Sequence, residues 1–207
     1  MILAIETATE ICSAALVHNG ILLGERSLNE KNIHSERLLY LVDEVLKSAQ
    51  VKNNQLVAIA VSIGPGSFTG LRIGLSTAKG LALALEIPII AIPTLDGIAE
   101  SYRRNRTTEK DENFCAMIDA KRDEAFYAFY SISQNDIILQ SEYAIKPRVE
   151  IVSEGVSRHS FLAQPVINAS AIGFLADRKK NDFEVPDFLY LEPLYLRDFV
   201  ATLPKKP

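Results

Sequence analysis

The sequence predicts a mixed α/β layer fold, and three observations carry that prediction: a tight-hairpin signal near the start, two apolar seams at helical spacing, and short β-branched runs of the buried-strand type between them. Residues 2–6 and 13–18 read as strands, and Asn19-Gly20 is the two-residue signal of a hairpin into residues 21–27. The period then changes. Over residues 34–49, Leu38, Val42, Val45 and Ala49 recur at helical spacing, with Leu39, Leu41 and Leu46 beside them. Residues 56–63 form a continuous apolar run that Gly64-Pro65-Gly66 ends abruptly. A second helix is expected over residues 70–86 on Leu71, Leu75, Ala78, Ala82 and Leu85, before Ile87-Pro88 breaks it ahead of a strand at 89–92. Thr94 is the expected cap of a third helix reaching about residue 104.

A polar stretch, 103–113, reads as a surface connection to a second part of the chain. There, residues 114–119 and 125–130 suggest a hairpin, 137–143 a further strand and 169–180 a helix, so the second half is expected to repeat the first in abbreviated form. Residues 188–196 read as a packed closing segment.

Composition narrows the function. The chain has 207 residues, 48% of them hydrophobic and 23% charged, enough to bury a core and outside the disordered class. Its formal net charge of −4 gives no electropositive field for gathering nucleic-acid phosphates. Cys12 and Cys115 lack metal-ligand spacing and read as free thiols in a reducing compartment. The apolar run from Met1 to Ile5 stops at Glu6 without a basic flank, and residues 80–85 are too few to span a bilayer, so a cytoplasmic protein without a membrane role is expected.

Residues 64–70, Gly64-Pro65-Gly66-Ser67-Phe68-Thr69-Gly70, join a strand to a helix as a glycine-rich turn whose N–H groups could receive an anion. The turn departs from the Walker pattern, with Gly70-Leu71-Arg72 at the helix start, and from the dinucleotide pattern, with Thr69 where a third glycine belongs. Taken alone, it reads as a structural turn ahead of a ligand loop. Glu6, Thr7 and Thr9 end the first strand, where Thr7 and Ala8 put side chains in a turn that close phosphate approach would need free, which favours a structural carboxylate. His18, His34 and His159 form no pair at metal spacing; His34 is read as helping to cap the first helix or to define its contact surface rather than as an acid-base group. The charged run 119–124 reads as a solvated hairpin tip.

With these residues in view, the sequence resembles the TsaB family, also called YeaZ, over nearly its whole length. The matching stretches are residues 2–9, His34-Ser35, residues 62–74 (SIGPGSFTGLRIG), Ile118-Asp119-Ala120-Lys121-Arg122 and Pro193-Leu194-Tyr195-Leu196-Arg197. The resemblance implies an actin-like, ribonuclease-H-like fold of two related lobes, residues 1–103 and a reduced 104–207. It also implies a non-catalytic partner of the paralogous TsaD, a transferase that moves a threonylcarbamoyl group onto the tRNA adenosine beside the anticodon. TsaD carries a metal-binding histidine pair after the strand matching residues 89–92; this chain has Pro93-Thr94-Leu95-Asp96-Gly97-Ile98 there. The remaining implications are a TsaE-like ATPase reached through the complex, a homodimer when alone, indirect tRNA contact and no cofactor, with Glu6, Thr7, Thr9, Gly64, Gly66, Ser67 and Thr69 left as a vestigial phosphate loop. In the family the first two helices form the pairing surface, so Leu38, Leu41, Val42, Val45, Leu71, Leu75 and Ala78 are the expected interface residues; that all seven belong to the core is the alternative.

Overall fold

The computed structural model describes residues 1–30, 34–158, 160–163 and 166–197. β1 (Ile2–Glu6), β2 (Cys12–His18) and β3 (Ile21–Leu28) form an antiparallel meander, and Asn19 and Gly20 both take positive φ, as a two-residue turn matched to strand twist requires. α1 (His34–Ser48), β4 (Ala58–Gly64), α2 (Phe68–Leu85), β5 (Ile89–Pro93) and α3 (Thr94–Asn105) follow. With the late edge strand β11 (Glu184–Val185), the first sheet runs β11-β5-β4-β1-β2-β3, and β4 is parallel to both of its neighbours. β1, β4 and β5 are buried on both faces, which is why they read as unbroken apolar runs.

The second sheet contains β6 (Glu112–Lys121), β7 (Glu124–Ser133), β8 (Asp136–Leu139), β9 (Ala144–Pro147) and β10 (Phe161–Ala163), in the order β10-β6-β7-β8 with β9 also on β7. α4 (Arg148–Ser157) covers its outer face around Tyr127, Phe129 and Ile151. α5 (Ala169–Arg178) lies with α3 between the sheets, where one cluster joins Ala4, Ile90 and Ile98 to Phe114, Tyr130 and Ile172. α1 and α2 close the far face of the first sheet over Leu3, Ile5 and Ile59. Five layers result, helix, sheet, helix, sheet, helix. Each sheet opens on the same unit, a three-strand meander, a helix and a strand parallel to the first, so the abbreviated repeat is present. Among the described residues no helix is long and apolar enough to cross a membrane.

Several expectations need correction. The second helix begins at Phe68, two residues early, because Ser67 caps it: Gly70 N donates to Ser67 Oγ at 3.2 Å. Thr94 is not a cap but the first helical residue, and its hydroxyl accepts from Gly64 N at 3.1 Å. The strand expected over 137–143 stops at Leu139, since Gln140 and Ser141 bond the Phe129 backbone and Tyr143 turns toward Asp96. α4 was missed because its apolar residues face both ways: Ile151 is buried, whereas Val149, Val152 and Val156 are exposed. A division at 103/104 also places with the second sheet a segment, from Ala169 onward, that returns to the first. α5 packs on β1 and β2, β11 extends the first sheet, and Leu194 N bonds Ile63 O, so the chain crosses to the second sheet and returns.

Two carboxylates fasten the middle layer. The hydroxyls of Tyr130 and Tyr143 both donate to Asp96 Oδ1, at 2.7 and 2.8 Å, tying α3 to the second sheet; burial raises this carboxyl and the two hydroxyls oppose the rise. Glu100, fully buried, holds Arg103 of its own helix and Arg178 of α5 at 2.7 and 2.9 Å. Glu100→Ala is expected to lower unfolding stability by about 3 kcal/mol, because two arginines lose a desolvated partner. Asp43→Ala, which breaks an exposed pair with Lys47, is expected to leave the denaturant midpoint essentially where it was.

Candidate functional site

The glycine-rich turn and the end of β1 meet directly. A Cβ on Gly66 would overlap the Ala8 carbonyl, one on Gly70 the Thr7 carbonyl, and one on Gly74 the Thr7 hydroxyl. Hydrogen bonds close the same contact: Thr7 Oγ1 donates to Gly70 O at 2.8 Å, and Ser67 N donates to Ala8 O at 2.7 Å. These glycines let one backbone lie on another. The Ser67 and Gly70 N–H groups are bonded within the chain, which removes two of the donors that the turn could offer an anion. Gly64 is pressed under the Leu194 carbonyl, Thr9 Oγ1 accepts from Ile11 N at 3.3 Å, and Thr69 is exposed at the rim.

Glu6 lies beneath this contact, fully buried. Ala8 N donates to its Oε1 at 2.7 Å, whereas Oε2 and the neighbouring Ser62 hydroxyl, also fully buried, have no hydrogen-bond partner among the described residues. Burial pushes the Glu6 carboxyl up from 4.5 to about 7; the Ser62 hydroxyl, which faces it without completing a bond of ordinary geometry, and the Ala8 and Thr9 backbone hold it from rising further. The structural role expected of Glu6 is therefore half satisfied.

Above the turn an open cleft of about 1100 Å³ separates the lobes. Ala8, Thr9, His34, the 65–70 turn and Ile73 line one side; Met117 to Arg122, Phe126 and the closing segment 194–197 line the rest. The charged tip is thus also a cleft wall. Asp119 accepts from Lys121 Nζ at 2.9 Å and from an Arg148 nitrogen at 3.1 Å, which pulls its carboxyl down to about 2. His34 opens α1 as expected, but its Nε2 is buried with no partner among the described residues. Cys12 and Cys115 are buried free thiols, raised to about 11 and about 12 by burial. His159, Lys205 and Lys206 lie outside the described residues.

The seven apolar residues assigned to a pairing surface are not on the surface. Leu38, Leu41, Val42, Val45, Leu71, Leu75 and Ala78 are each at most 5% exposed and face the first sheet or the neighbouring helix. A helix lying on a twisted sheet beside a second helix buries a broad stripe, and that breadth imitates a second contact face. The outward residues are Leu39, Tyr40 and Leu83, at 60%, 50% and 63% exposure.

Comparison with known proteins decides the relationship. The family model for TsaD, tRNA N6-adenosine threonylcarbamoyltransferase, matches residues 22–183. The Escherichia coli K12 tRNA threonylcarbamoyladenosine biosynthesis protein TsaB is 38% identical over 162 residues, 77% of this chain and 67% of that protein. The chain belongs to the TsaB family. A second TsaB, from Haemophilus influenzae, is 36% identical over 61% of this chain, which spans only 52% of that relative's length. Among solved structures, a Pseudomonas aeruginosa protein described as similar to peptidase YeaZ superposes with a TM-score of 0.77 at 30% identity, covering 95% of this chain and 99% of its own. The actin-like α/β architecture follows from both the family and the sheet order.

Two measurements probe the turn of this TsaB-family chain. Gly74→Ala is expected to destabilise it by roughly 1–3 kcal/mol in denaturant titration, and by clearly less in a Thr7→Ala background, where the overlapping hydroxyl is gone. For Glu6, the raised folded value means that its contribution is present below about pH 4.5 and lost as pH climbs to about 7, on the order of 3 kcal/mol in all. Glu6→Gln cannot ionise, so its stability relative to the parent is expected to rise between pH 4 and pH 8 by that amount. A pH-independent difference would count against the buried acid.

Proposed function

We propose that this chain is a non-catalytic subunit that pairs with a TsaD-like paralogue and is required with it for N6-threonylcarbamoylation of the tRNA adenosine beside the anticodon. The observation that supports this reading is the seating of the glycine turn on the end of β1, which uses the Ser67 N–H on Ala8 and the Gly70 N–H on the helix cap instead of leaving them for phosphates. The same observation counts against an alternative reading of the sequence, an active ATP-dependent phosphotransferase of the actin-like fold.

The pairing face assigned here is the outer side of α1 and α2. Leu39, Tyr40 and Leu83 stand exposed on it, and Ser76, Gly80 and Ala84 form a shallow strip at four-residue spacing along α2. A Cβ on Gly80 would meet nothing within 4 Å, so a mid-helix glycine, which costs about 0.5–1 kcal/mol relative to alanine, answers no need of the monomer. A close-approaching partner helix supplies that need. In this reading the chain self-associates by the same face when alone, a TsaE-like ATPase joins through the complex, and tRNA is met through the partner.

Reconstituted transfer to tRNA, with the catalytic paralogue, the ATPase and the adenylate-forming enzyme, tests the role by omission of this chain. Gly80→Arg is expected to keep the thermal midpoint of the isolated chain and to abolish both co-elution with the paralogue and modification. Undiminished modification in its presence would remove α2 from the interface; undiminished modification without the chain would remove the role.

A further inference from the structure

Three tight hairpins place both central residues at positive φ: Asn19-Gly20, Gln134-Asn135 and Arg122-Asp123. The first two contain asparagine or glycine, which accept that conformation at least cost. The third contains neither, and Lys121 before it is also left-handed, so three successive side-chain-bearing residues sit at φ of 64, 55 and 63°. This is the hairpin that walls the cleft. Local backbone preference has been overridden at the one tip that faces the cavity.

The charges there are mostly spoken for. Lys121 and Arg148 both bond Asp119, and Arg197 pairs with Glu124. Arg122 has no hydrogen bond or ion pair among the described residues, although Asp123 follows it in the turn. Elsewhere on the lining, the buried His34 Nε2 is likewise without a partner. Between these polar groups the lining is apolar, with Ile73, Ile98, Met117, Ile118 and Phe126. The cavity, at about 1100 Å³, lies just above the roughly 300–1,000 Å³ usual for small-molecule sites.

We propose that the cleft binds a small ligand with an apolar or aromatic body and an anionic head group, carboxylate or monophosphate, with Arg122 taking the head group. The anionic end then rests on the hairpin wall.

Calorimetric titration of the full chain with 2-naphthoate, 2-naphthyl phosphate and neutral 2-naphthamide tests this. At least one charged probe is expected to bind about tenfold or more tightly than the amide, and the better of the two names the head group. Arg122→Asn removes the charge while putting a turn-favouring residue at positive φ. It is expected to hold or raise the thermal midpoint, to bring the charged probes down to the level of the amide, and to leave the amide unchanged; Arg122→Lys should restore part of the difference. Equal binding of acid and amide, charged-probe binding indifferent to Arg122→Asn, or no binding of any probe would each overturn the proposal.

Discussion

The seating of α2 on the end of β1 governs most of what surrounds it. Gly66 and Gly70 lie against the Ala8 and Thr7 carbonyls, backbone on backbone, and Gly74 lies against the Thr7 hydroxyl, so little flexible side chain stands between to absorb error. The contact fixes the start and direction of α2, and hence which residues of that helix turn to the sheet and which to solvent. It also buries Glu6, whose second oxygen and the Ser62 hydroxyl are left facing each other unpaired. Where an actin-like enzyme leaves room for phosphate, this chain has fused two of its own loops.

Much of the first sheet was legible because its signals are local. Asn19-Gly20 states its own turn, and the runs in β1, β4 and β5 state burial on both faces. The glycine turn was visible too, but its meaning depends on Thr7 and Ala8, some sixty residues earlier in the chain, which no local pattern reveals. The polar middle layer was hidden for the opposite reason. On an amphipathic helix, Asp96 and Glu100 look like members of a solvated face; only a second sheet packed on that face turns them into buried anchors for Tyr130, Tyr143 and Arg178. The pairing surface was misread through the breadth of the α1 seam, since Leu41 and Val42 serve the core while the quieter Gly80 faces outward.

That middle layer bears on motion as well. Enzymes of the actin-like class work by closing two lobes over a ligand, which requires few fixed ties across the hinge. Here α3 and α5 share one apolar cluster with both sheets, and the Asp96 and Glu100 networks cross between them. The lobes are joined by a core rather than by a hinge.

The return of the chain to its first sheet also sets an order on synthesis. β1 to β5 emerge from the ribosome early, yet one face of their sheet is covered by α5 and one edge by β11, which emerge last. Until then an apolar face and an unpaired edge strand stay open to water and to neighbouring chains, the state in which nascent domains misassociate. The N-terminal half is therefore a fold in waiting, and folding of the nascent chain is completed from its far end.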